Sequence, residues 1–296
     1  MTHEITIGLP VRSDIYSFEQ CIRSIFAQTF KNWTLIIFCD GAESAIVELA
    51  LAIEDPRVQV IVDNLNMGLP YRLNQITQMA QTKYVARMDA DDLMLPSRLQ
   101  FQLDFLIKNP EIDVLACRSF LINESASPQG LYKEPDLPEV AAGFLENGVL
   151  SHPAIIFSRK WGLKNPYDPA WIRTEDKELW LRTCEFTRFA KLPDVLMLIR
   201  VPAKLSYAKV ALTSKYNRKL VRIYGPRYSS WLSTFYFILK ISIKQHLLRF
   251  LQTIGLKKII YSHKRIQISP SEITEIQSQI NLILLTAVPG WNTIRT

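Results

Sequence analysis

The chain has 296 residues, 48% of them hydrophobic, which is a globular composition with room for one large α/β domain or a domain of about 200 residues plus an appendage. Its net charge of +7 is uneven: residues 1–200 hold 20 Lys+Arg against 26 Asp+Glu, and residues 201–296 hold 15 against 2. No basic-then-apolar leader opens the chain, which argues against a secretory signal, and the four scattered cysteines read as reduced core residues of an intracellular protein.

In chain order, "EITIGLPV" (4–11) predicts a first strand ended by Pro10. Phe18, Cys21, Ile22, Ile25 and Phe26 fall at helical spacing within 17–29. The run "WTLIIFCD" (33–40) is apolar almost throughout, as in a parallel strand covered on both faces. A helix over 45–53, a strand over 57–63, a helix over 68–80 and a strand over 83–89 follow. This alternation predicts a doubly wound, mostly parallel sheet, whose ligands bind beyond the carboxyl ends of the strands. Polar residues gather at those ends: Arg12 and Asp14, Asp40, Asp63 to Asn66, and Asp89 to Asp92. Further on, the pattern predicts a helix over 96–110, strands over 112–123 and 153–160, a helix over 175–186 and a strand over 192–201.

"RMDADD" crowds Asp89, Asp91 and Asp92 into four positions. Like charges at that spacing need water or a cation. On an extended backbone Asp89 and Asp91 share a face, and an oxygen-only anionic site suits Mg²⁺ or Mn²⁺. Asp92 reads as an acid at the start of the next helix. No phosphate-binding glycine loop and no G-x-S-x-G or H-E-x-x-H motif occurs, which disfavours P-loop, classical dinucleotide, α/β-hydrolase and zincin chemistry.

The segments "ITIGLPVRSDIYSFEQCIRSIFAQTFKNWTLIIFCDG", "DPRVQVIVDNLNMGLPYRLNQ", "KYVARMDADDLMLPSRLQFQLDFLIKNPEIDVLA", "SHPAIIFSR" and "TEDKELWLRT" together resemble the family 2 glycosyltransferases, over residues 4 to about 205. The resemblance implies a GT-A fold and an inverting, divalent-metal-dependent transfer of a sugar from a nucleotide-diphosphate donor, commonly a UDP-sugar, to an acceptor hydroxyl. By position, Pro10 and Arg12 look like donor-cradling residues, Asp40 like the acid contacting the base, and Asp89 and Asp91 like the D-x-D pair, with Asp91 on the metal. Asp176 looks like the catalytic base, with His152, Glu175 and Trp180 on the acceptor side. Three departures stand out, the first being Arg12 where the family often has an aromatic after Pro-Val. Cys39 precedes Asp40 where the family usually has a second acid, and Pro202 falls where it often has a histidine.

After residue 205 the character changes. The segment 231–260 is apolar with Lys240, Lys244, Arg249, Lys257 and Lys258 at intervals, and no acid lies between Val195 and Ser271. The longest uncharged run leading into it, Tyr228–Leu239, is 12 residues, against about 20 for a bilayer span. The expectation is therefore a domain over 1–205 and a basic, amphipathic helical extension over 206–296. That extension either touches an anionic membrane surface through 206–265 or packs on the domain. The functional expectation is a cytoplasmic enzyme, peripheral at the inner membrane face and working on a glycan or lipid-linked acceptor, with nucleic acid disfavoured. A nucleotidyltransferase or a catalytically degenerate scaffold of the same fold are the alternatives.

Overall fold

A computed structural model describes residues 4–146, 149–202, 206–253 and 265–291. The first quarter follows the predicted alternation: β1 (Ile5–Val11), α1 (Ile15–Phe26), β2 (Trp33–Asp40), α2 (Ser44–Leu51), β3 (Val58–Asp63), α3 (Leu69–Met79) and β4 (Tyr84–Arg87). These strands pair in parallel in the order β3-β2-β1-β4. Pro10 does not end β1, which runs on to Val11. The Gly8 carbonyl accepts from Met88 N, so Pro10, two residues later, turns its missing N–H to the side where β4 has already ended. Gly8 is needed for a different reason: a Cβ there would lie 2.6 Å from Ile76 Cγ2, so α3 could not seat on β1.

Beyond β4 come β5 (Leu93–Met94), α4 (Arg98–Lys108), β6 (Val114–Ile122), β7 (Pro128–Tyr132), α5 (Gly143–Glu146), β8 (Ile156–Ser158), α6 (Arg159–Lys164), α7 (Glu175–Thr183) and β9 (Phe189–Arg200). Here the sheet turns mixed. β8 runs antiparallel between β4 and β6, and β9 lies parallel to β6 and antiparallel to β5. The parallel reading thus holds for the first four strands, while the second half is mixed.

Helices cover both faces. Phe18 and Ile22 of α1, Ile46 of α2 and Leu103 of α4 build one core layer. Ile76 of α3, Trp161 of α6 and Leu179 of α7 build the other. The cysteines are free thiols, three of them buried and Cys184 half-buried.

The C-terminal part divides in two. The helices α8 (Tyr207–Tyr228) and α9 (Trp231–Thr253) form a hairpin, bonded to each other by Arg218 Nη1 to Gln245 Oε1 at 2.8 Å. α8 buries Leu220 and bonds to α7, with Tyr224 Oη donating to Glu178 Oε1 at 2.7 Å and Tyr228 Oη to the Leu181 carbonyl. The rest folds back onto the domain. β10 (Arg265–Ile266) pairs with β7, and α10 (Pro270–Leu284) packs Ile276, Ile280 and Ile283 on Leu93, Ile122 and Leu198. Trp291 Nε1 donates to the Leu49 carbonyl. The remainder of the apolar segment predicted over 231–260 lies outside the described residues.

Candidate active site

The acids of "RMDADD" sit at the carboxyl end of β4. Helix α4 begins only at Arg98, so Asp92 is not a helix-start acid. It precedes the two-residue strand β5, whose pairing with β9 draws it inward to 3% exposure. Asp92 Oδ1 accepts from the Arg200 backbone N at 2.8 Å. The Arg200 guanidinium donates to the carbonyls of Asp91, Asn123 and Glu124 and to Gln20 Oε1, so one arginine at the end of β9 ties the acidic turn to α1 and to the loop after β6.

One carboxylate oxygen from each of Asp89, Asp91 and Asp92 lies within 4.8 Å of the others. Burial, then its acidic neighbours, pushes the Asp92 carboxyl well up. The surrounding protein and Asp89 lift Asp91, which opens to solvent, to about 6. Three hard oxygen donors with unbalanced negative charge fit Mg²⁺ or Mn²⁺ better than any softer ion.

Asp40, assigned from sequence to the nucleotide base, has both oxygens engaged by the protein. Oδ1 accepts from Arg72 Nε at 2.7 Å and Met67 N at 2.8 Å, and Oδ2 from Gly68 N at 3.0 Å. Arg72 is 1% exposed and also bonds Asp63 Oδ2 and the Leu65 carbonyl. This buried pair fixes the 64–68 loop, which forms one wall of a cleft. Arg72→Met strands Asp40 without its cation and is expected to cost about 3–5 kcal/mol. Equilibrium urea unfolding reads this as a lower midpoint, and an unchanged midpoint contradicts it.

The cleft holds about 610 Å³ and is lined by Asn66 to Pro70, Arg87, Asp89, His152, Ile172, Arg173, Glu175 and Asp176. Glu175 and Asp176 open α7, where the helix dipole favours anions, yet burial dominates. It raises Asp176 above the ordinary 3.8, and with Asp176 beside it lifts Glu175 to about 7. His152 Nε2 lies 2.9 Å from the Tyr167 hydroxyl, and burial, then Arg87, drives its pKa well down, so its ring is neutral. Arg87, at the last position of β4, pairs with Asp89 at 2.6 Å.

The structure thus brings Asp89, His152, Glu175 and Asp176 onto one cleft, with Asp91 beside them. Trp180, assigned to the acceptor side, is 1% exposed and packs edge-on against His152 from behind, in the core. Pro10 and Arg12 stand at the β1 end, outside the residues lining the cleft, and Arg12 is exposed. Sequence reasoning missed Arg72, Arg87, Arg200 and the inward role of Asp92. For Arg87 a signal existed, since a cation closing an otherwise apolar central strand needs a partner.

A family model described as Glycosyl transferase family 2 matches residues 7–172. An O-antigen biosynthesis glycosyltransferase of Escherichia coli is 28% identical over 192 residues, 62% of this chain and 74% of that protein. Among solved structures, residues 1–349 of Staphylococcus aureus TarS in complex with UDP-GlcNAc superpose with a TM-score of 0.59 at 16% identity, covering 97% of this chain and 82% of that one. The Pyrobaculum calidifontis mannosyltransferase in complex with GDP-Man and Mn²⁺ gives 0.57 at 14% identity, covering 96% and 86%. At these identities the two structures establish the fold alone.

Proposed function

The chain belongs to glycosyl transferase family 2, and from that premise we propose that it moves a sugar from a nucleotide-diphosphate donor, a UDP-sugar first, to an acceptor hydroxyl with inversion, in the assembly of a polysaccharide or glycolipid. The observation that carries this is that Asp176 and Asp89, first of the three clustered aspartates, face one cleft. The UDP-GlcNAc bound by the TarS structure and the GDP-Man and Mn²⁺ bound by the mannosyltransferase support such a donor and such an ion.

In this mechanism Asp176 takes the acceptor hydroxyl proton as the new bond to the anomeric carbon forms and the nucleotide diphosphate departs from the opposite face. Asp91, with Asp89 and Asp92, would hold Mn²⁺ or Mg²⁺, which supplies charge neutralisation for the leaving diphosphate. Asp40 acts through the loop it fixes, and Arg12 would meet donor phosphate from the β1 end. The neutral His152 lines the acceptor side, with Trp180 holding its ring.

We place the enzyme at the cytoplasmic face of a membrane. α9 exposes Trp231, Leu232, Phe235, Tyr236, Leu239, Ile243, Leu247 and Phe250, interleaved with Lys240, Lys244 and Arg249. Among the described residues no helix is long and apolar enough to cross a membrane. An exposed apolar stripe with basic flanks suits an anionic phospholipid interface, where a lipid-linked acceptor is found.

The test mixes purified full chain, Mn²⁺, a panel of UDP- and GDP-sugars, and phosphatidylglycerol vesicles carrying a polyprenyl-diphosphate sugar. The expected result is labelled sugar in the lipid fraction and protein that floats with the vesicles, less so as salt rises. No transfer from any donor overturns the enzymatic reading, and transfer without flotation overturns the membrane placement.

A further inference from the structure

Two residues of the cleft carry buried polar atoms with no bonding partner among the described residues. Arg87 is 3% exposed, and although Nη2 pairs with Asp89, its Nε and Nη1 are buried and unbonded. Glu175 is 7% exposed, and its Oε2 is buried and unbonded as well. Such atoms are costly to bury, and folded proteins keep few of them without a reason. Both residues line the same cleft, with Asp89 and Asp176.

Their position selects the ligand. On the reading above, the diphosphate lies by the three aspartates and the acceptor hydroxyl by Asp176, so the transferred ring spans the space between. Arg87 sits there, bonded to Asp89 on one side and in the field of Glu175 and Asp176 on the other. A sugar hydroxyl accepts one hydrogen bond and donates another at the same time, so adjacent hydroxyls satisfy guanidinium donors and a carboxylate acceptor together. A ring carboxylate would instead meet Asp89, Glu175 and Asp176. A ring lacking a hydroxyl would leave the buried groups unpaired, a defect that sites of this kind reject strongly.

The geometry points to Arg87 and Glu175 as the specificity-determining floor of the donor-sugar subsite, taking a neutral hexose with free adjacent hydroxyls and disfavouring acidic or deoxygenated rings. This rests on the nucleotide-sugar reading and adds which residues read the sugar.

Calorimetry with saturating Mn²⁺ compares UDP and GDP with UDP-glucose, UDP-galactose, UDP-N-acetylglucosamine, UDP-glucuronate and GDP-mannose on wild type, Arg87→Met and Glu175→Gln. The wild type is expected to gain affinity from a neutral sugar and none from glucuronate. Arg87→Met is expected to weaken the preferred sugar nucleotide by about 10- to 100-fold more than the bare nucleotide, which feels only the loss of Asp89's ion-pair partner. Glu175→Gln, which keeps the buried cation pair, is expected to lower the same increment and serves as the reading if Arg87→Met does not fold. Equal weakening of bare and sugar nucleotide makes Arg87 a phosphate contact and overturns the inference. No change in either variant, or tighter binding of UDP-glucuronate than UDP-glucose, also overturns it. A wild type that binds no nucleotide overturns the donor reading, and this inference with it.

Discussion

Asp176→Asn is expected to lower sugar transfer by about 10²- to 10⁴-fold while leaving nucleotide affinity near wild type. Asparagine keeps the shape and the place at the start of α7 but accepts no proton, so the loss reports the proton transfer rather than the fold. The pH profile gives a second reading. Burial raises the Asp176 carboxyl above the ordinary aspartate value. A raised pKa means the group is still protonated where a free aspartate would be ionised. The wild-type rate is therefore expected to fall as pH drops, along an acid limb lying above the usual aspartate range. Glu175, lifted to about 7 by burial and then by Asp176, titrates in the same cleft. In Asp176→Asn the residual rate loses that limb. Initial rates from pH 5 to 9 with saturating donor make the comparison, and a variant that keeps both rate and limb would remove Asp176 from the role of base.

The order of strands was legible because parallel strands covered on both faces must be apolar throughout, as "WTLIIFCD" is. The strand-end acids were legible because polar residues closing such runs have few other places to go. What stayed hidden depends on distant pairing. Arg72 and Arg200 are buried by partners 32 and 109 residues away, the Asp40 carboxylate and the Asp91 carbonyl, and no local pattern announces that. Asp92 reads locally as a helix-start acid because β5 is only two residues long and its partner β9 lies far along the chain. The mixed half of the sheet escaped for the same reason, since β5, β7 and β10 are short and are held by register rather than by hydrophobic alternation. Pro202 stands exposed where the resemblance suggested a histidine, while Arg200, two residues earlier, reaches the acidic turn instead.

Asp91→Asn is expected to move function and stability in opposite directions. Asp91 is the most open of the three clustered aspartates, and the proposed reading makes it the first ligand for an incoming ion. Replacing its carboxylate removes a negative charge and a hard oxygen donor. Mn²⁺-dependent transfer should fall about 10³-fold, the scale set by losing several kcal/mol of charge stabilisation on the leaving group. Without metal the same substitution should stabilise the protein. The Asp91 carboxyl is raised to about 6 by the surrounding protein and by Asp89, so the folded state holds its proton more tightly than the unfolded chain does. A raised carboxylate pKa contributes stability at low pH, and that contribution is lost as pH rises through about 6. Metal-free wild type should accordingly lose thermal stability between pH 5 and pH 8, and Asp91→Asn, with no charge to gain there, should lose less. Adding Mn²⁺ at pH 8 should then raise the melting temperature of the wild type and leave that of the variant nearly unmoved. Thermal unfolding at the two pH values, with and without Mn²⁺, reads all of these together. A variant whose melting temperature still climbs with Mn²⁺ as the wild type's does would take the ion away from Asp91. A variant that is less stable than wild type without metal at pH 8 would mean that the three carboxylates are not in mutual conflict when no cation lies between them.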